Sequence, residues 1–122
     1  MKQITVKLKD KPGEVYRVCD ALGKKGINIV SIYGGGYDGF FKIFTEDETS
    51  TMKAFQQAGF EAAAKDVLIV NITDKPGELA KITGRLARAG INVNYMSLIT
   101  KDKNSTTMGF DVDDVEKAKK SI

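Results

Sequence analysis

Two five-residue runs carry most of the recognisable chemistry in this sequence: Asp10-Lys11-Pro12-Gly13-Glu14 and, 64 positions later, Asp74-Lys75-Pro76-Gly77-Glu78. Each stands where an alternating strand pattern gives way to a helical one. A helix beginning at such a turn presents unpaired backbone N–H groups and the positive end of its dipole, which suit a carboxylate. Gly13 and Gly77 let the backbone come close to a ligand. Asp10 or Asp74 could pair with an ammonium group. Thirteen residues after each turn glycine comes Gly-Ile-Asn, at Gly26-Ile27-Asn28 and Gly90-Ile91-Asn92, and an asparagine amide both donates and accepts. Plainer roles fit the same residues. Pro-Gly can serve only to turn strand into helix, Asp10 and Asp74 can cap the helix or turn, and Asn28 and Asn92 can satisfy backbone groups beyond the helix end.

Other chemistry is thinly represented. Histidine is absent, which removes the commonest general base and the commonest metal ligand. No metal site and no cofactor is expected. The single Cys19 shares an apolar helical face with Val15, Val18 and Leu22, so it reads as core, and no base is at hand to make it a nucleophile. One cysteine cannot form an internal disulfide, and the reducing cytoplasm is the expected compartment. Gly34-Gly35-Gly36 follows a strand and precedes a hairpin, so it reads as a hairpin bulge and not as a phosphate cradle. The net charge of +3 is mild, with 10 Lys/Arg against 8 Asp/Glu in residues 1–65 and 9 against 8 in 66–122. Neither half concentrates positive charge as a nucleic-acid face would. No apolar run approaches the roughly 20 residues of a membrane span, and the alternating MKQITVKLKD start lacks the apolar stretch of a signal peptide.

The elements that must position these residues repeat too. Aligning 10–30 with 74–94 gives nine identities in 21 positions, among them Leu22/Leu86, Gly26/Gly90, Ile27/Ile91 and Asn28/Asn92. Unrelated segments would share roughly one or two, so the chain is an internal duplication. In each copy alternation (Ile4, Val6, Leu8) predicts a strand. Pro then suits the first helical turn, and Val15, Val18, Cys19, Leu22 at i, i+3, i+4, i+7 predict a helix. A second strand is expected from Ile27 to Tyr33, a hairpin partner at 40–44, a helix at 51–58 and a short strand at 60–64. The second copy repeats this with strand 68–72, helix 77–89, strand 91–100, strand 106–112 and helix 115–121, and then stops. The reading is α+β: two βαββαβ modules in tandem, 1–65 and 66–122, each an antiparallel sheet with helices on one face, the second lacking its last strand. The strand edge left open there is either covered by a partner or exposed.

The two Asp-Lys-Pro-Gly-Glu runs, each followed by Gly-Ile-Asn and then Ile29 or Val93, resemble the ACT domain family, and the duplicated chain resembles free-standing tandem-ACT proteins. The resemblance implies a ferredoxin-like fold, side-by-side pairing into a continuous sheet, and binding of amino acids or similar molecules between paired modules. It also implies that the turn of one module faces the second strand of its neighbour. Two clefts are therefore expected, one with Asp10, Lys11, Pro12, Gly13 and Glu14 facing Asn92 and Val93, the other with Asp74, Lys75, Pro76, Gly77 and Glu78 facing Asn28 and Ile29. A free amino acid presents a carboxylate for the helix N-terminus, an ammonium group for the aspartate, and a side chain. The copies differ at Tyr16/Ala80 and Val30/Asn94, so the clefts need not be alike.

Other families share this topology, and fold alone decides little. RNA-recognition modules would carry basic-aromatic strand motifs, copper chaperones a cysteine pair in the first loop, and acyl-phosphate hydrolases an arginine in a glycine-rich loop; all three are missing. Two functions remain. One is a stand-alone, non-catalytic sensor that binds an amino acid and oligomerises or contacts an enzyme. The other is a regulatory subunit of an amino-acid biosynthetic enzyme such as acetolactate synthase. Tyr33, Tyr37 and Tyr95 lie near the second strands and could line a cleft, though a surface or core role is the expectation for them. A homodimer is expected, without nucleic-acid or membrane partners.

Overall fold

Alternation builds the first strand. In β1 (Lys2–Lys7) Ile4 and Val6 are fully buried while Lys7 lies outside. The computed structural model describes residues 1–122. The chain divides into two compact units, 1–65 and 66–122. The first continues with α1 (Glu14–Gly23), β2 (Ile29–Gly35), β3 (Phe40–Thr45), α2 (Glu48–Gln57) and β4 (Ala62–Asp66). The second contains β5 (Leu68–Thr73), α3 (Glu78–Arg88), β6 (Tyr95–Lys101), β7 (Ser105–Asp111) and α4 (Val115–Ser121). The fold is the expected α+β one, two antiparallel ferredoxin-like modules in tandem.

The first sheet has four strands in the order β2-β3-β1-β4, and the second has three in the order β5-β7-β6. The second module thus lacks the strand that would flank β5. Register sets each core. Ile43 on β3 lies between Ile4 of β1 and Ile32 of β2, and Phe110 on β7 lies between Leu68 of β5 and Met96 of β6. Helix residues Val18, Leu22, Ala54 and Phe55 close the first core, and Leu86 and Ala118 close the second. Leu22 and Leu86, an identical pair in the duplication, are both fully buried, which stabilises each module by ~1.5–3 kcal/mol per side chain. Phe55 and Phe60 meet edge to face at 5.9 Å. One buried polar contact, Thr45 Oγ1 with Thr51 Oγ1 at 2.7 Å, leaves neither hydroxyl unpaired. Toward the sheet edges the cover thins: Ile32 on β2 is 42% exposed and Leu98 on β6 51%.

Several local expectations need correction. The second strands begin at Ile29 and Tyr95, not at Ile27 and Ile91. The Ile27 N–H donates back to Leu22 O at 3.0 Å and the Ile91 N–H to Leu86 O at 2.9 Å. Both belong to the closing motif of the preceding helix, with Gly26 at φ 69° and Gly90 at φ 74°, and are not free for a strand partner. Helix α2 starts at Glu48, three residues early, because the Asp47 carboxylate accepts the Ser50 N–H at 3.0 Å and caps it. The register shift lies at Val30, between Ile29 and Ser31, while Gly34 and Gly35 stay in register with Phe41 and Phe40; Gly34 is nevertheless irregular, with φ 115° and its would-be Cβ against the Phe40 carbonyl oxygen. Val15 is 46% exposed and Cys19 only half-buried. The apolar stripe of α1 is therefore narrower than its four-residue pattern, because Glu14 occupies part of the inward face.

Candidate functional site

The two Pro-Gly runs form the same turn. The Glu14 N–H points to Lys11 O and the Glu78 N–H to Lys75 O, each at 3.4 Å. Gly13 has φ 93°, ψ −18° and Gly77 φ 88°, ψ −13°. These are the third positions of type II turns, which demand positive φ there and favour proline just before. Pro12 and Pro76 thus stand one residue ahead of the helix N-caps and not within the first helical turns. Turn geometry fully accounts for both Pro-Gly pairs.

What the turns leave behind is an uncapped helix start. No side chain caps α1 or α3, so Asp10 and Asp74 are not helix caps. The first bonds within the helices run from Arg17 N–H to Gly13 O at 2.9 Å and from Lys81 N–H to Gly77 O at 3.1 Å. The N–H groups of Val15 and Tyr16, and those of Leu79 and Ala80, therefore meet no protein acceptor. A cavity of about 410 Å³ at the first turn is lined by Lys9, Lys11, Pro12, Gly13, Glu14 and Arg17. Val15, Tyr16 and Asp10 are not among its walls; the open donors sit at the positive end of the helix next to it in sequence.

Glu14 belongs to the scaffold of this turn. Its side chain is 4% exposed, Oε2 accepts the Lys9 N–H at 2.9 Å, and Oε1 accepts Arg17 Nε at 2.9 Å. The Lys9 N–H and then Arg17 hold its carboxyl below the ordinary 4.5, against the opposing pull of burial. Arg17 in turn lies 4.1 Å over the Phe60 ring, tying the end of β1, the start of α1 and the approach to β4 together. In the second unit Glu78 binds Lys81 at 3.1 Å and Lys75 at 3.6 Å, and Lys81 foremost lowers its carboxyl too.

The aspartates differ. Asp10 is exposed, and its carboxylate lies against Gly36 of the β2–β3 hairpin; a Cβ on Gly36 would stand 2.6 Å from Oδ1. Asp74 pairs with Lys101 at 3.1 Å, and its N–H donates to Asn104 O at 3.1 Å. Asn28 and Asn92 are both exposed. Asn28 has no protein hydrogen bond and lines a cavity of about 300 Å³ with Lys25, Glu46, Asp47 and Ser50 among its walls. Asn92 Nδ2 donates to Asn94 Oδ1 at 3.1 Å, and Asn94 Nδ2 to Asp113 Oδ1 at 2.9 Å. Neither asparagine satisfies the backbone after its helix. Ile29 and Val93 pack partly against their own cores.

Within one unit, the turn and the asparagine lie at opposite ends of a ten-residue helix, α1, about 15 Å long. A single unit does not bring them together. The sequence reading did not single out Arg17 or Lys101, and it took Gly36 only as part of a hairpin bulge, not as a neighbour of Asp10. Arg17 and Lys81 form a basic pair three residues after Glu14 and Glu78, so the repeat itself carried that signal. Lys101 and Gly36 act through hairpins whose sequences differ between copies, so the repeat carried no signal for their contacts with the turns. No three Cys, Asp or Glu side chains are grouped to hold a metal ion. No helix is long and apolar enough to cross a membrane.

Comparison with known proteins agrees with this architecture. No curated protein matches the chain. Among solved structures, a Bacteroides thetaiotaomicron protein superposes with a TM-score of 0.89 at 24% identity, covering 98% of this chain and 84% of that one. The regulatory subunit of aspartate kinase from Thermus thermophilus, in its ligand-free form, gives 0.69 at 20% identity, with coverage of 98% and 87%. The corresponding Thermus flavus subunit gives 0.63 at 22%, with 98% and 88%. At such identities these likenesses establish the fold. The family model described as an ACT domain pair matches residues 1–122, and with both modules, both turns and both helix-end motifs in place, the chain belongs to the ACT domain pair family.

Proposed function

We propose that this ACT pair is a non-catalytic regulatory protein that binds a small molecule, an amino acid, between modules. The observation that carries the reading is the uncapped start of α1, where the Val15 and Tyr16 N–H groups stay open behind a type II turn. Such donors fit a carboxylate, and the unpaired Asp10 at the start of the same turn fits an ammonium group. Since α1 separates turn from asparagine inside a unit, a ligand touching both must bridge two modules. The pairing is Asp10–Glu14 with Asn92 and Val93, and Asp74–Glu78 with Asn28 and Ile29. Ile29 and Val93 contribute backbone there, their side chains being partly committed to the cores. A ligand that bridges two modules stabilises one arrangement of their interface, which is how binding becomes regulation.

Edge strands β2 and β6, with Ile32 and Leu98 exposed, support a homodimer as the working assembly. Membership in a family of regulatory domains, with regulatory subunits of aspartate kinase among the structural relatives, also supports the second reading, a subunit of an amino-acid biosynthetic enzyme. That resemblance points to aspartate kinase ahead of acetolactate synthase as the enzyme to try first. Calorimetric titration of the wild type and of Asn28→Ala and Asn92→Ala with amino acids that raise the melting temperature tests the site. Weakened binding in either variant is expected, and unchanged affinity in both rejects the assignment. Co-purification with a large catalytic chain would favour the subunit reading.

A further inference from the structure

The duplicated turns carry the same five residues but not the same free charges. In the first, both Glu14 oxygens are taken, by the Lys9 N–H and by Arg17, while the Asp10 carboxylate and the Lys9 and Lys11 ammonium groups form no ion pair. The turn therefore offers unpaired charge of both signs beside two open helix donors. In the second, Asp74 is held by Lys101 at 3.1 Å, and Glu78 by Lys81 at 3.1 Å and Lys75 at 3.6 Å. Every charge there is already spoken for. The Asp74 N–H also reaches Asn104 O at 3.1 Å, clipping this turn to the β6–β7 hairpin.

Lys101 is the residue that makes the difference. It ends β6 beside Thr106 of β7, and 64 positions earlier the first copy has Tyr37, 97% exposed and uncharged. We infer that the two turns are not equivalent: the Asp10 turn takes a zwitterionic amino acid, and at the Asp74 turn the Lys101 ammonium occupies the place of the ligand's. The inference rests on the amino-acid-binding reading above and adds which turn does the binding. Lys101 and Asp74 are both partly exposed, at 57% and 39%, so the pair is screened and breakable. Its competition lowers affinity at that turn up to about fivefold, the equivalent of an exposed ion pair, and the charged partners around Glu78 leave no second free anion to compensate.

Two measurements on the full chain test this. In the first, carbodiimide-promoted coupling of glycinamide is mapped by mass spectrometry. Asp10 is expected to react faster than Asp74, and Lys101→Met to bring Asp74 up toward the Asp10 rate while leaving Asp10 unchanged. Equal rates in the wild type, or an Asp74 rate indifferent to Lys101→Met, would overturn the inference. In the second, equilibrium dialysis over a range of concentrations of each of the twenty protein amino acids is expected to resolve two affinities per chain that differ up to about fivefold, the tighter lost in Asp10→Asn and kept in Asp74→Asn, with the weaker strengthened toward it in Lys101→Met. Two equal affinities in the wild type, or loss of the tighter one in Asp74→Asn, overturns the asymmetry while leaving amino-acid binding intact. Absence of binding by all twenty overturns the amino-acid reading and the inference with it.

Discussion

Replacing Gly36 by alanine probes the packing of the β2–β3 hairpin on the first turn. A Cβ there would lie 2.6 Å from Asp10 Oδ1 and 3.3 Å from Asp10 Cα, where unstrained contacts begin at about 3.5 Å. The first overlap is relieved when the exposed carboxylate swings away; the second needs the turn backbone to give by about 0.2 Å. Overpacking of this kind costs ~1–3 kcal/mol, and a movable side chain places it near the middle of that range. Gly36 has no positive φ, so alanine also restricts the unfolded chain and returns ~0.4–1 kcal/mol. The net expectation is a loss of about 1 kcal/mol. In an Asp10→Ala background most of the overlap is gone, and the same substitution should be close to neutral. Urea unfolding of the wild type, both single variants and the double variant closes the cycle. The expected coupling is about 1 kcal/mol, well above the error of such cycles. A neutral or stabilising Gly36→Ala in the wild-type background, or a cost unchanged by Asp10→Ala, would refute the close approach of hairpin and turn. Because the carboxylate must move, Gly36→Ala should also weaken amino-acid binding.

Leu22→Ala and Leu86→Ala remove equivalent, fully buried side chains, and each should cost ~2–5 kcal/mol in urea unfolding; a loss below 1 kcal/mol in either would contradict the packing of that core. Glu14 has its folded-state pKa lowered beneath the ordinary 4.5, first by the Lys9 N–H. Its contribution to stability is therefore complete above about pH 4.5 and is lost as pH falls through the depressed value. Thermal melts from neutral pH into acid should show a shallower acid loss in Glu14→Gln than in the wild type, and identical slopes would remove Glu14 from the scaffold. Alanine at Gly13 or Gly77 meets no atom within 4 Å but must hold a left-handed conformation. Each change should cost ~1–2 kcal/mol, and a stabilising result would contradict the type II turns.

The features legible in the sequence were those that both copies repeat. Alternation at Ile4, Val6 and Leu68, Val70 marked the first strands, and the burial of Leu22 and Leu86 followed from their identity in the alignment. The strands after Gly26 and Gly90 were read two to four residues early, because apolar Ile27 and Ile91 look like strand residues until their N–H groups are seen to close the helix. Val15 looked like core because periodicity counts apolar positions and cannot foresee that Glu14, bonded to the Lys9 N–H, takes space on the buried side. At the candidate site, sequence pattern found the turns and their glycines. It could not distinguish a free Asp10 from a paired Asp74, since the partner, Lys101, comes from a hairpin 27 positions away with no counterpart in the first copy.

The most direct test of the central claim is a thermal-melt screen of the purified chain against the twenty amino acids, one at a time. A ligand that binds only the folded protein stabilises it by about 2.7 kcal/mol at a hundredfold excess over its Kd. One amino acid or a chemically related few should raise the melting temperature in a saturable, concentration-dependent way, with the effect reduced by Asp10→Asn. A flat response to all twenty, or a shift that survives loss of the Asp10 carboxylate unchanged, would contradict the assignment of this ACT pair as an amino-acid sensor built on its first turn.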